Sequence, residues 1–568
     1  MQLILLSNNQ LRDFTGHTLV LLTFSNCEDF LDTENLVKKD NSNFPQTAAD
    51  AEIALTGAYA SLREMTPGSD RQNFFIASEV LSDNCFGGGG PDNRRKHAMD
   101  RLKKVDENTF ADIWKQNYRG IYRCNMLLGS LDNVSWENEE TRNKIEGETY
   151  FLRAYFYFDL CRMFGTVPLI TAPTTENLPR ATAAELYGQM ASDLKKAIDL
   201  LPANKYNPAN NSELGRATKW AAEALLARVF LFYTGYYQQT NIPMDENNSL
   251  TKDEVVTILN DCINNSGHDL VGDFRNLWPY SNEYTKKDYK YAQDNNLSWV
   301  GEDGNNIETV FAIKFSSKGT WDNPWYSNET CLHFSPRTPE SLDDIFPFGT
   351  GWGVAPVNTK LWDEWPANDI RREGSILSVE KELPSYVWGC DKQMNETGYW
   401  QKKYMAINAY NDAGESVNYS CILYPDIDSD YQLNNTQDIV IIRFADVLLM
   451  AAELSQDATP LNRVRARVGL PAISYSEQAL RDERRWEFAF EALRYWDLLR
   501  WGIAGDALSK QNGVKVLDNM VETVMNMGDL AQRIQETKGL MPIPQTQIDL
   551  SAGLLEQNPG WGNESNLN

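Results

Sequence analysis

Two short stretches of this chain carry the side chains that could hold a sugar ring: WPYSNEY at Trp278–Tyr284 and WDNPWYS at Trp321–Ser327. A pyranose offers an apolar C–H face and a rim of hydroxyls, so its receptor needs a flat aromatic platform edged by amides and carboxylates. Trp278, Tyr280, Tyr284, Trp321, Trp325 and Tyr326 supply rings, with Asn282, Glu283, Asp322 and Asn323 beside them. Such rings lose little side-chain entropy on binding, because only two torsions are fixed. The turn formers around them place both stretches in loops, where binding residues concentrate. The competing structural use of the same rings is to pin long loops to the body, since large aromatics are mostly buried.

Bond-making chemistry has little support in the residue types. The four histidines, His17, His97, His268 and His333, fall in no HExxH or GxSxG pattern and pair with no cysteine signature. A glycosidase needs only two suitably spaced carboxylates, but a solvated surface accounts for nearly all 79 acids. The alternating acids of PDIDSDYQ resemble a calcium loop; counted from Asp426, however, the sixth and twelfth positions are Tyr431 and Gln437, where an EF-hand needs Gly and Glu. Gly87–Gly90 followed by Pro91 is a loop and lacks the P-loop or dinucleotide context. The reading is therefore no catalytic residue, no metal and no cofactor.

Helices must position these loops. Apolar residues spaced by three and four predict helices over about 47–64, 74–80, 110–131, 139–164, 182–200 and 219–233, which suggests antiparallel helix pairs stacked as a solenoid. Pro67 and Gly68 end the first of them. Helical periodicity weakens after Asn264, and ETVFAIKF (Glu308–Phe315) alternates as a strand would. Helices return at 442–454, 458–468 and 481–502. The last, RDERRWEFAFEALRYWDLLRWG, puts Trp486, Phe490 and Trp496 on one buried face and charges on a solvated one, with Gly502 at a C-cap position.

Composition bounds the partners. A 568-residue chain that is 42% hydrophobic and 11% aromatic is folded. Its formal charge of −26 comes without any basic block, so nucleic acid is excluded as a natural partner and neutral ligands fit better. No apolar run reaches the roughly 18 residues of a membrane span. LVLLTF (Leu19–Phe24) followed by Ser25-Asn26-Cys27 looks like a bacterial lipoprotein signal, with Arg12 upstream and Cys27 as the lipid attachment site after removal of residues 1–26. Residues 27–46 then read as a tether. The other seven cysteines cannot all pair and show no metal-site spacing, so they read as mostly buried free thiols.

The order of residues carries more than their periodicity. ERRWEFAFEALRYWDLLRWG closely resembles the late helix of the SusD/RagB family of surface glycan-binding lipoproteins from Bacteroidetes-type bacteria. GETYFLRAYFYFDLCRMFGTVPLI, GRATKWAAEALLARVFLF, IIRFADVLLMAAEL, LNRVRARVGLP and LMPIPQTQIDLSAGLLEQNPGW resemble it in the same order. The resemblance implies a mainly α, tetratricopeptide-like scaffold with inserted loops and short strands. Helical repeats would fill 47–235, a loop-rich ligand-binding region 236–435, and C-terminal helices packed on the repeats 436–568. It also implies outer-membrane surface attachment, glycan binding without catalysis, and delivery to a TonB-dependent barrel of the SusC type. By region, the ligand face would include Asn84–Asp92 with Phe86, and Trp321–Tyr326; Trp352, an indole between glycines, is a further candidate. A glycoside hydrolase on a helical scaffold and a peptide-binding RagB-like member are the alternatives.

Overall fold

The computed structural model describes residues 44–63, 72–208, 215–245, 248–301, 306–337, 342–389, 392–562 and 566. The expected leader 1–26, Cys27 and the tether up to residue 43 lie outside the described residues, as do His17, Pro67, Gly68 and Cys390. Pro45–Asn568 forms one compact unit.

Threonine and asparagine start its major helices. Thr47, Asn138, Thr182, Thr218 and Thr251 each accept a first-turn backbone N–H, and Asp50, Glu185 and Glu254 complete reciprocal capping boxes. Each such cap stabilises by about 1 kcal/mol. The helices they begin, Ala48–Ala60, Glu139–Phe164, Ala183–Leu200, Lys219–Tyr236 and Lys252–Asn265, pack on their neighbours in chain order, with Ala111–Ser130 between the first two. This succession of helices, each packed on the next, is the helical scaffold the periodicity predicts. In Glu139–Phe164 every side chain from Phe151 to Phe164 is buried, so the second half of this helix runs through the core with no solvated face. Close approach demands a glycine opposite it: a Cβ on Gly120 would lie 2.4 Å from the Phe156 ring.

Strands are short and paired in twos among the described residues. Thr309–Ile313 is the predicted strand, and its antiparallel partner is Ile439–Arg443, with Ile313 opposite Ile439 and Thr309 opposite Arg443. Here the sequence reading is corrected. Ile442 and Arg443 were expected to open a helix, but the β-branched run Ile439-Val440-Ile441-Ile442 extends as a strand and the helix is Phe444–Ser455. The six cysteines described, Cys85, Cys124, Cys161, Cys262, Cys331 and Cys421, form no disulfide with one another, and five are buried.

The expected helix over 481–502 is two helices, Glu477–Phe488 and Arg494–Arg500. Phe490 and Ala492 break it by taking left-handed φ values of 68° and 59°. A non-glycine residue there costs roughly 1 to 2 kcal/mol. The turn is held by a buried Phe490 ring and by the Glu79 carboxylate, which accepts the Ala492 N–H. Gly502 closes the second helix as predicted: its N–H reaches the Leu499 carbonyl and the Ile503 N–H the Leu498 carbonyl.

The charges of this segment are buried as well, and this is the larger correction. Glu487 accepts from Arg371 at 3.0 Å, from Arg443 at 2.8 Å, and from Arg467. Glu491 accepts from Arg443 and Lys403 at 2.9 and 2.6 Å, and Arg484 bridges Asp446 and Asp497 at 2.7 and 2.8 Å. Arg494 grips Asp83 with two hydrogen bonds. Asp369-Ile370-Arg371 caps a short helix and sends Arg371 to Glu483 at 2.6 Å. Burial alone would raise the Glu487 carboxyl, yet the surrounding guanidinium groups of Arg467, Arg443 and Arg371 outweigh it and hold the group well below the ordinary carboxylate range. Burial pulls the Lys403 ammonium down to about 8 despite Glu491 beside it. The segment is therefore a hub joining the strand pair, the 369–375 turn and the first loops, and most of its charges belong to the interior, Arg481, Asp482 and Arg485 being partly exposed.

Candidate functional site

The strand Thr309–Ile313 delivers the chain into a loop tied at its base and open at its tip. At the base, the Ser316 N–H donates to the Tyr326 carbonyl at 2.9 Å. At the tip, Thr320 and Asn323 exchange backbone hydrogen bonds across Trp321 and Asp322, and the Thr320 hydroxyl accepts a further bond from the Asn323 N–H. Pro324 presets the 3-10 turn Pro324–Tyr326 that follows. Trp321 projects from this tip with 57% of its surface exposed. Trp325 and Tyr326 are half-buried below it, and the Arg63 guanidinium lies 4.3 Å from the centre of the Tyr326 ring.

The loop rests on a second one. The Asn328 N–H donates to the Asn435 carbonyl at 2.7 Å, Asn328 Nδ2 to the Gln437 carbonyl at 2.7 Å, and Gly319 lies against the Leu433 carbonyl. The neighbouring segment 423–435 carries Tyr424 and Tyr431, exposed by 39% and 41%. The sequence reading missed both, having taken this stretch for its acids. Those acids serve turns: Asp428 accepts the Asp430 N–H and Asp430 accepts the Gln432 N–H, each at 2.9 Å. Among the described residues no group of three or more His, Cys, Asp or Glu side chains could hold a metal ion. The three described histidines each place a ring nitrogen against a backbone carbonyl: His97 at Gly88, His268 at Ile307 and His333 at Glu329.

Trp352 belongs to the same region through the short helix Glu329–Phe334, whose N-terminus follows the aromatic loop. Six residues span roughly 9 Å. The His333 ring meets Trp352 edge-on at 4.6 Å, and the Trp352 N–H donates to the Leu332 carbonyl. Gly351 permits that approach, since a Cβ there would lie 2.1 Å from the Leu332 oxygen. The glycine run joins here too. The Gly89 N–H donates to the Gly353 carbonyl, the Phe86 N–H to the Pro356 carbonyl, and Gly88 has a positive φ of 61° against the Pro356 ring. The structure thus joins the glycine run to the 353–356 segment, using the glycines for backbone contact.

Three of the predicted rings are elsewhere. Phe86, Trp278 and Tyr280 are buried in the core and present no face to a ligand. Lys403 sits 4.8 Å from the centre of the Trp278 ring, packing the indole against the charge hub, while Tyr280 donates to the Gly374 carbonyl at 2.8 Å within a cluster with Tyr289 and Tyr291. WPYSNEY is a pinning segment: Asn282 caps its own turn, and Thr285 donates to the Asn408 carbonyl. Tyr284 is half-buried beside Lys287. What remains open is the loop with Trp321, Trp325 and Tyr326, the adjoining segment that carries the exposed Tyr424 and Tyr431, and Trp352, packed on His333 of the short helix that follows the loop.

Stacked helix pairs with inserted loops and two-stranded sheets define a SusD-like scaffold. A family described as "Starch-binding associating with outer membrane" matches residues 29–231, and the SusD family matches 357–561. The chain belongs to the SusD/RagB family. SusD-like protein P25 of Formosa agariphila is 26% identical and covers 95% of this chain and 97% of the relative. SusD-like protein P2 of the same organism is 24% identical over 96% and 98%. Among solved structures, surface glycan-binding protein A from Bacteroides thetaiotaomicron in complex with laminarihexaose is similar at a TM-score of 0.68 and 23% identity, covering 90% of this chain and 100% of that one. A laminarin binding SusD-like protein is similar at a TM-score of 0.69 and 24% identity over 91% and 100%.

Proposed function

We propose that this protein binds an oligosaccharide or polysaccharide at the cell surface on the open aromatic region and passes it to a TonB-dependent outer-membrane barrel of the SusC type. Trp321 carries the reading. A ring held 57% exposed on a loop tied at its base is a costly way to fill space but a ready platform for a sugar face. The exposed acid and amides of Asp322 and Asn323 lie next to it to meet hydroxyls. Laminarihexaose is the first ligand to offer, because one solved relative of the fold holds it and another binds laminarin. Calorimetry should show saturable binding, and chromatography of the recovered ligand should show an intact hexaose. Shortened products would favour the glycoside hydrolase, and affinity for peptides with none for any glycan would favour the RagB-like alternative.

Attachment is assigned to Cys27. No described helix is long and apolar enough to cross a membrane, and a diacylglycerol plus an amide-linked chain, at roughly 0.8 kcal/mol per buried methylene, anchors without one. The paired helices from Ala48 to Tyr236 offer a surface broad enough to cover a barrel, with Ile53 and Tyr122 exposed on two helices that pack together. Cys27→Ala should therefore move the protein to the soluble fraction, and mild-detergent pull-down of the wild type should recover a larger barrel in comparable amounts. Unchanged membrane fractionation would defeat the anchor; recovery of this chain alone, with other outer-membrane complexes intact, would defeat the barrel partner.

A further inference from the structure

Behind the exposed rings lies a buried amide that joins the segments carrying them. Asn435 is buried, and each of its polar atoms is hydrogen-bonded. Its N–H donates to Ser327 Oγ at 3.0 Å, and its carbonyl accepts from the Asn328 N–H at 2.7 Å and from Ser327 Oγ at 3.3 Å, so the main chain grips the base of the aromatic loop. The side chain reaches the other way. Asn418 Oδ1 accepts the Ser420 N–H, which makes Asn418 Nδ2 the donor to Asn435 Oδ1 at 3.0 Å. Asn435 Nδ2 is thereby turned to the Tyr431 carbonyl, also at 3.0 Å.

Ser327, Asn328 and Asn418 are buried as well. A buried polar network that is fully satisfied selects one arrangement of the segments it joins, where apolar packing would tolerate several. The arrangement selected here concerns Tyr431. The Leu433 N–H donates to the Asp430 carbonyl at 2.9 Å and closes a turn with Tyr431 at its first corner. Asn435 ties the backbone of that corner from the buried side, while 41% of Tyr431 meets solvent. Gly319 makes the second contact, since a Cβ there would lie 2.5 Å from the Leu433 oxygen. Trp321 stands two residues after Gly319 and Tyr431 two residues before Leu433. Two residues extend at most about 7 Å, so both rings spring from one junction.

We propose that Asn435 is a positioning residue for glycan binding, holding the Tyr431 turn against the base of the Trp321 loop so that one oligosaccharide meets both. Trp321 is the platform and Tyr431 a second wall beside it. Asn435 itself touches no ligand; it holds the two sides in place before binding, so their ordering is not charged to the ligand. This assignment rests on the aromatic loop being the glycan site, and adds to it a second side and the residue that sets it.

Asn435→Asp keeps the shape of the side chain and an acceptor for Asn418, but sets a carboxylate oxygen against the Tyr431 carbonyl. Calorimetry on the full chain should show laminarihexaose bound about tenfold more weakly. In a Tyr431→Ala background the same substitution should cost less than about twofold, because a residue that acts through Tyr431 then has nothing left to position. Equal losses in the two backgrounds, the mark of a merely structural role, would overturn the proposal, as would wild-type affinity in Asn435→Asp. Where that variant folds poorly, hydrogen exchange on the wild type decides: laminarihexaose should slow exchange in both 316–327 and 423–435, and protection of the first alone would overturn the second wall. A wild type that binds no glycan overturns the reading of the aromatic loop and this assignment with it; glycan binding indifferent to Asn435 overturns this assignment alone.

Discussion

Glu487→Gln should lower the unfolding free energy by about 3 to 5 kcal/mol, the usual cost of removing one partner from a buried ion pair. The side chain keeps its shape, so the loss is electrostatic: three buried guanidinium groups, of Arg371, Arg443 and Arg467, would face a neutral amide. Urea unfolding followed by tryptophan fluorescence measures it. A change below about 1 kcal/mol would show that Glu308, Glu483 and Glu491, which contact the same cations, compensate. The pH dependence provides an internal check. The folded carboxyl titrates well below the ordinary value, so its contribution is present above the ordinary glutamate pKa near 4.3 and is lost as pH falls through the folded value. The variant should therefore lose less stability on acidification than the wild type does.

That residue also marks the boundary of what the sequence can tell. The helices over 139–164 and 183–200 were legible because local signals agree, a Thr or Asn cap and acids in the first turn, and 111–130, which lacks such a cap, was legible from its apolar residues at helical spacing. The 481–502 stretch satisfies the same rules and still breaks. Nothing local to Phe490 or Ala492 asks for a left-handed backbone; Glu79, more than 400 positions away, supplies the constraint. Its charges read as solvated because their partners, Arg371 and Arg443, are remote in sequence. Residue types narrow the aromatic site to loops but cannot sort its rings. Trp278 and Trp321 sit in similar company, and only the fold shows that Lys403 and Phe274 enclose the first while the second stands clear. Tyr424 and Tyr431 were hidden by the acids around them. A tyrosine at each end of a turn-rich, strand-poor segment was the available signal.

Trp321→Ala/Trp325→Ala should abolish measurable binding of laminarihexaose with little change in stability. A platform of this kind concentrates affinity in few side chains, and a central indole is worth roughly 2 to 4 kcal/mol when truncated. Losing even 2.8 kcal/mol weakens a ligand about a hundredfold, and a sugar resting on one open loop has few other contacts to fall back on. Trp321 gives up little packing, because more than half of it already meets solvent. The base of the loop is held by the Ser316–Tyr326 and Asn328–Asn435 backbone bonds, which neither substitution touches. Surface changes of this sort usually alter stability by about 0.5 kcal/mol or less, and the half-buried Trp325 sets the upper end of the change. If the indoles instead pin the loop, the variant will melt several degrees lower and laminarihexaose affinity will survive; binding then belongs to Trp352 or to Tyr424 and Tyr431, whose alanine variants should show the loss.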